Sequence, residues 1–358
     1  MRRTTKFAAV LSVGALSLAA LTACGSSSDG STAKDNTSST TKKSDIKVGL
    51  AYDIGGRGDQ SFNDMAAAGL DKAKKEFGLT TSESEASADE SDSAKEDRLV
   101  QMAEQGYNPI IAVGFAYDAA VAKIAPQYPD TSFAIIDDVP AGADGKPIAN
   151  VVPLVFAEEQ GSFLVGAAAA LKSKSGTIGF VGGVNTPLIQ KFEAGYDAGA
   201  KAVNPKIVIK STYLSQPPDF SGFGDPAKGK TAAAGEFDAG ADVVFHAAGG
   251  SGTGVFEAAK AAKGLAIGVD SDQYLTAAAD LKPFILTSML KHVDVAVYDF
   301  LKAAVDGKPL TGTQTFDLKD GGVAYSTSGG KVDDIKAQLD EYAKKIIDGT
   351  ITVPSTLK

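Results

Sequence analysis

Tryptophan is absent from this 358-residue chain, which also holds only two histidines and one cysteine. His246 and His292 show neither HxH nor HxxxH spacing, so a histidine-built metal centre has little support and no cofactor is expected. A single cysteine excludes an intrachain disulfide, and a chain of this size needs none to hold a core. Beyond Cys24 no run reaches the roughly 18 apolar residues of a spanning helix. Basic charge does not dominate either. Lys and Arg number 35 against 44 Asp and Glu, for a net charge of −9 with the signs interspersed. A nucleic-acid partner would want a basic stripe, so none is expected. There is no GxSxG elbow and no Ser-His-Asp set in a convincing context.

What is present starts with a basic n-region (Arg2, Arg3, Lys6) and an apolar stretch over 7–21 that is too short to span stably. Leu21-Thr22-Ala23-Cys24 resembles the bacterial lipobox. That resemblance implies a signal peptide over 1–23, cleavage before Cys24 and lipidation of its thiol and new amino terminus. Residues 24–45 are Ser, Thr, Gly, Lys and Asp with almost nothing apolar, so they read as a flexible tether. About 310 residues follow, room for two lobes at roughly 100–200 residues each.

The stretch 48–69, VGLAYDIGGRGDQSFNDMAAAG, organises the rest. Its start reads as a buried strand over 47–52. Glycine-rich turn chemistry follows, then a helix over 62–77 closed by Gly78. Ser61 and Asp64 have the spacing of a capping box. In an open α/β sheet ligands sit beyond the carboxyl ends of strands, which puts Asp53, Ser61, Phe62 and Asn63 at a cleft. The segment 80–97 reads as a charged loop. Further strands at 109–114, 132–137 and 148–156 alternate with helices, giving a βαβαβ rhythm. A small-residue helix over 158–171 suits close packing on a sheet. The rhythm then restarts with strands at 177–181, 206–214, 242–247 and 265–270. The expected fold class is therefore α/β, with two doubly wound Rossmann-like lobes and a ligand crevice between them.

Two motifs point elsewhere and fail. Residues 224–231, GDPAKGKT, match the P-loop pattern but follow no strand directly, and Asp225 would face the phosphates. They read better as a helix start with Asp225 as cap and Pro226 in the first turn. The run HAAGGSGTG from His246 lacks the register of a dinucleotide fingerprint. Asp53, Asp137 and Asp270 each end an apolar strand. Three such acids could serve hydrolysis, and they equally suit recognition of vicinal hydroxyls.

The segments DQSFND, EEQGSFLVGAAAALKSKSGTIGFVGG, KFEAGYDAGAKAVNP, FGDPAKGK, GADVVFHAAGGSGTGVFEAAK, AIGVDSDQ and LTSMLKHVDVAVYDF occur in that order. They resemble the basic membrane protein family, lipoproteins similar to nucleoside-binding components of ABC importers. The resemblance implies a type I periplasmic-binding-protein fold with three hinge crossovers. Lobe 1 would comprise 46–155 plus about 291–315, and lobe 2 would comprise 156–290 plus about 316–358. It also implies a purine nucleoside in the cleft, permease and ATPase partners, a lipid anchor at Cys24 on the extracytoplasmic face and a monomer. Under it Phe62 stacks on the base, with Phe223 as second ring and Phe220 as its rival. Asn63 and Asp137 bond the base edge. Asp53, Asp270 and Lys291 hold the ribose, Lys291 lying near Asp270, and Ser61 adds a contact. No step makes or breaks a bond. An extracytoplasmic nucleoside hydrolase and a sensor for a membrane signalling protein are the alternatives.

Overall fold

The computed structural model describes residues 44–87 and 90–357. The expected signal peptide, Cys24 and nearly all of the expected tether lie outside the described residues. Two six-stranded sheets form the frame. The first lobe carries β1 (Lys47–Ala51), β2 (Thr80–Ser84), β3 (Ile110–Ala112), β4 (Phe133–Ile136) and β5 (Val151–Phe156). Its helices are α1 (Phe62–Phe77), α2 (Asp92–Glu104) and α3 (Asp118–Ile124). The second lobe opens with α4 (Glu158–Lys172), β6 (Thr177–Val184), α5 (Pro187–Val203), β7 (Val208–Ser215) and α6 (Pro226–Asp238). It continues through β8 (Val243–Ala247), α7 (Gly252–Ala262), β9 (Leu265–Asp270), α8 (Gln273–Thr276) and β10 (Ile285–Lys291). Then come α9 (Val293–Val305), β11 (Gln314–Phe316), β12 (Val323–Tyr325) and α10 (Lys336–Ile347).

The strand orders are β11-β5-β4-β3-β1-β2 and β12-β10-β9-β8-β6-β7. All pairings are parallel except β12 on β10. Central strands such as FAII of β4 are buried throughout, as expected for a sheet covered by helices on both faces. The chain passes between the sheets three times: from β5 into α4, from β10 into α9, and from β11 to β12. α9 returns to pack on α1 in the first lobe, while α4 packs on α5 and on β10 in the second. This is the type I periplasmic-binding-protein architecture.

One expectation is corrected and another extended. The segment read as a charged loop over 80–97 contains β2, which pairs in parallel with β1 from Lys47↔Thr80 to Ala51↔Ser84. As an edge strand, TTSES is only half covered, so it carries none of the apolar signal of the inner strands. The loop also ends early, because Ser91 caps α2 by accepting the Ala94 amide. The small residues of α4 serve a helix as well as the sheet, for Gly161 lies against Met289 of β10 while Gly166 meets α5. A Cβ at Gly166 would fall 2.1 Å from the Tyr196 carbonyl oxygen of α5, and one at Gly199 would fall 1.9 Å from that of Phe163.

Candidate functional site

The β1–α1 turn is tied together by two side chains. The Asn63 carbonyl accepts the Asp53 amide at 3.0 Å, and its NH2 donates to the Ile54 carbonyl and to Asp59 Oδ2. Asp59 accepts the amides of Ser61, Asn63 and Asp64 at 2.9–3.1 Å. Asp59 therefore satisfies the free amides of the first turn of α1, and the capping box expected of Ser61 and Asp64 does not form. Asp64 instead reaches back to the amides of Gly58 and Gln60. Ser61 is released for another task. Its hydroxyl donates to Asp270 Oδ2 at 2.6 Å, joining the two lobes. Beside it Ser271 and Gln273 both donate to the Gln60 carbonyl.

Asp53 is buried at the end of β1, with one oxygen accepting the Ile54 amide. The other lies over Gly114, where a Cβ would come within 2.3 Å. Burial pushes the Asp53 carboxyl up to about 7 and that of Asp59 up to about 6. Asp137 and Asp270, at the ends of β4 and β9, adopt left-handed backbone with φ of 72° and 63°. Aspartate tolerates this conformation better than most residues, and here it occurs where the sheet ends and the cleft begins.

At the floor of the cleft Lys291 Nζ lies 2.6 Å from Asp137 Oδ2 and 3.0 Å from Glu158 Oε1. Its direct partners are thus Asp137 and Glu158, while Asp270 acts on it only through space. Lys191 holds the other Glu158 oxygen at 2.8 Å and also donates to the Phe156 carbonyl. Burial alone would lower the Lys291 ammonium, but the carboxylates of Asp137, Glu158 and Asp270 override it and raise it. Burial raises Asp137 and Asp270 despite the nearby ammonium. It opposes the Glu158 charge too, yet the two lysines hold that carboxyl below its usual range. The rings of Phe62 and Phe156 lie 5.1 Å from the ammonium, within cation–π range.

Between turn and floor the lobes leave a cavity of about 50 Å³ that opens to solvent. Asp53, Phe62, Asn63, Asp137, Phe223, Asp270 and Lys291 all line it, while Ser61 sits just behind Asp270. Asn63 spends both its oxygen and its NH2 on the turn, and Asp137 pairs with Lys291. Of the two candidate rings on the α6 side, Phe223 lines the cavity. Phe220 is set back against Phe115, at 5.8 Å and 69°. The Phe223 ring fits because Gly183 has no side chain: a Cβ there would meet it at 2.4 Å. Asp225 caps α6 as expected, and Lys230 of the false P-loop pairs with Glu257 on the surface. His246 is buried, its Nε2 3.0 Å from Gln273 Oε1, and burial lowers it to about 4, leaving it neutral.

Sequence reasoning passed over Asp59, Phe115, Phe192 and Glu158. Asp59 stood inside the DQSFND motif, and Phe115 lies just past the end of β3 as Asp53 lies just past the end of β1. Nothing local marked Glu158 beyond its place at a helix start.

The profile of the ABC transporter substrate-binding proteins described as PnrA-like (Bmp) matches residues 46–356. The chain belongs to this family. It is 37% identical to the CD4+ T-cell-stimulating antigen of Listeria innocua, over 97% of this chain and 98% of that one. It is 36% identical to the ABC transporter nucleoside-binding protein BmpA of Lactococcus lactis subsp. cremoris, over 87% and 90%. A solved solute-binding protein of an ABC transporter system from Aeropyrum pernix K1 superposes with a TM-score of 0.74 at 30% identity, covering 86% of this chain and 94% of that one. The family is one of substrate-binding proteins. No described helix is long and apolar enough to cross a membrane.

Proposed function

We propose that this protein is the lipid-anchored receptor of an ABC importer and that its ligand is a purine nucleoside. The observation that carries the reading is the make-up of one cavity: Phe62 and Phe223 line it together with Asp53, Asp137, Asp270 and Lys291. Two rings from different lobes suit a flat base, since ring stacking is worth about 1–3 kcal/mol per base. Buried carboxylates suit the hydroxyls of a ribose, because a carboxylate only accepts hydrogen bonds. A deoxy analogue would leave an acceptor unpaired, at about 1–3 kcal/mol. Closing the lobes on the ligand removes water and strengthens both contributions.

The deciding experiment is calorimetric titration with guanosine, inosine and adenosine, in the wild type and in Phe62→Ala. Binding that weakens by about 1–3 kcal/mol in a folded variant supports the clamp. Unchanged affinity would return Phe62 to the core. Release of free base during the titration, seen by chromatography, would favour the hydrolase instead. For the anchor, Cys24→Ser should leave the membrane fraction; a variant retained there would overturn it.

A further inference from the structure

Three charged side chains meet at the floor of the cleft, but only two of them line the cavity. Lys291 and Asp137 do; Glu158 does not. It is buried beside the first crossover, at the first residue of α4. Its carboxylate is held between two ammonium groups, Lys291 at 3.0 Å and Lys191 at 2.8 Å. The contact with Lys291 is an ion pair and not a hydrogen bond: Glu158 Oε1 has no hydrogen-bond partner among the described residues. Among the described residues Lys291 donates one hydrogen bond, to Asp137. An ammonium has three donors, so N–H groups remain for a ligand in the cleft.

The two carboxylates also belong to different halves of the molecule. Asp137 ends β4 in the first sheet. Glu158 opens α4, which packs against β10, the strand that carries Lys291. Parting of the lobes would therefore take Asp137 from Lys291 and leave Glu158 beside it.

We infer that Glu158 is the positioning residue of the site, holding the Lys291 ammonium in place in the open cleft so that its free donors meet the ligand's hydroxyls on closure. This rests on the nucleoside reading for its ligand but not for its geometry. Lys191 is the outer clamp, fixing the second oxygen of Glu158 and the Phe156 carbonyl at the crossover.

The test uses the full-length chain and two readouts. The first is the side-chain ammonium resonance of Lys291 in nitrogen-15 spectra of the unliganded protein. The second is affinity for guanosine and for guanine, which has no hydroxyls to present. In Glu158→Gln the Lys291 resonance should broaden or vanish. Guanosine should then bind about tenfold more weakly, with guanine changed less than about threefold, the size expected for coupled neighbours. Glu158→Asp, which keeps the charge, should recover part of the loss. In a Lys291→Met background, Glu158→Gln should add nothing. A sharp, unshifted Lys291 resonance in Glu158→Gln overturns the inference, as does an equal loss for both ligands. If Glu158→Gln does not fold, Lys191→Met takes its place, since that side chain is a quarter exposed. It should broaden the same resonance, and an unchanged one overturns the inference equally. A wild type that binds no nucleoside, with a Lys291 resonance still sensitive to Glu158, would sink the proposed ligand and leave the positioning role standing.

Discussion

The two polar clusters of the cleft are held by different forces. In the β1–α1 turn, Asp53, Asp59 and Asn63 are fixed by backbone amides within a dozen residues of chain. At the floor, Asp137, Glu158, Lys191 and Lys291 are fixed by one another, each from a different element. Amides bring no net charge and offset only part of the cost of burial, so Asp53 rises to about 7. Ammonium groups do bring charge, so Glu158, held by two of them, stays below its usual range although it is as deeply buried, whereas Asp137, with one, is still raised. The comparison predicts that removing the cation of the floor and neutralising Asp53 of the turn change stability in opposite directions.

The largest effect should come from the floor. Lys291→Met removes the cation between two buried carboxylates. Breaking a buried pair from one side costs about 3–5 kcal/mol. Urea denaturation near neutral pH should show that loss. It should shrink in acid, where Asp137 takes up a proton and no longer needs the ammonium. A loss independent of pH would mean that the side chain matters for packing among Phe62, Phe156 and Phe192 rather than for charge.

The same contrast separates what the sequence could show from what it could not. The turn is local, so its glycines, its strand and the spacing from Asp53 to Asn63 point to the cleft before any coordinates exist. Even there the capping partner was misread, because Asp59 and Ser61 both suit a cap and only the fold shows that Ser61 is needed across the cleft. The floor has no local signature. Lys191 and Glu158 lie on different helices, and their pairing depends on the close α4–α5 contact that Gly166 and Gly199 allow. The rhythm of inner strands was legible because burial on both faces makes them apolar throughout. The edge strand β2 was not, because a half-covered TTSES reads as loop.

In the turn the expected change has the opposite sign. The folded-state pKa of Asp53, about 7, lies above the ordinary carboxylate value of 3.8. Between those values the folded protein binds a proton that the unfolded chain has lost. Stability is therefore fully present at acid pH and falls as pH rises toward 7. Asp53→Asn removes that dependence and keeps an oxygen for the Ile54 amide. The unliganded variant should be more stable than wild type by roughly 2–3 kcal/mol at about pH 8, with no gain near pH 4. Thermal melts at the two pH values give the comparison. A variant less stable at both would mean that Asp53 is ionised in the fold and that the charge of Lys95, which favours the carboxylate, compensates its burial.

The smallest effect belongs to the bond that joins the clusters' two lobes. Ser61 donates to Asp270 across the cleft at 2.6 Å, a bond that opening of the cleft would break and replace with water. Ser61→Ala should therefore leave the fold intact and shift the balance toward the open form by about 1 kcal/mol, the net value of an ordinary hydrogen bond. Because closure precedes or accompanies every binding event, the shift weakens any ligand by the same factor, about fivefold. Guanosine and guanine should lose affinity equally, and small-angle scattering of the unliganded variant should show a larger radius of gyration. A loss confined to guanosine would have a different origin. It would place the Ser61 hydroxyl on the ribose itself, with Asp270 turning from Ser61 to the sugar as the ligand enters, and the bond seen here would mark a site waiting for its ligand rather than a latch.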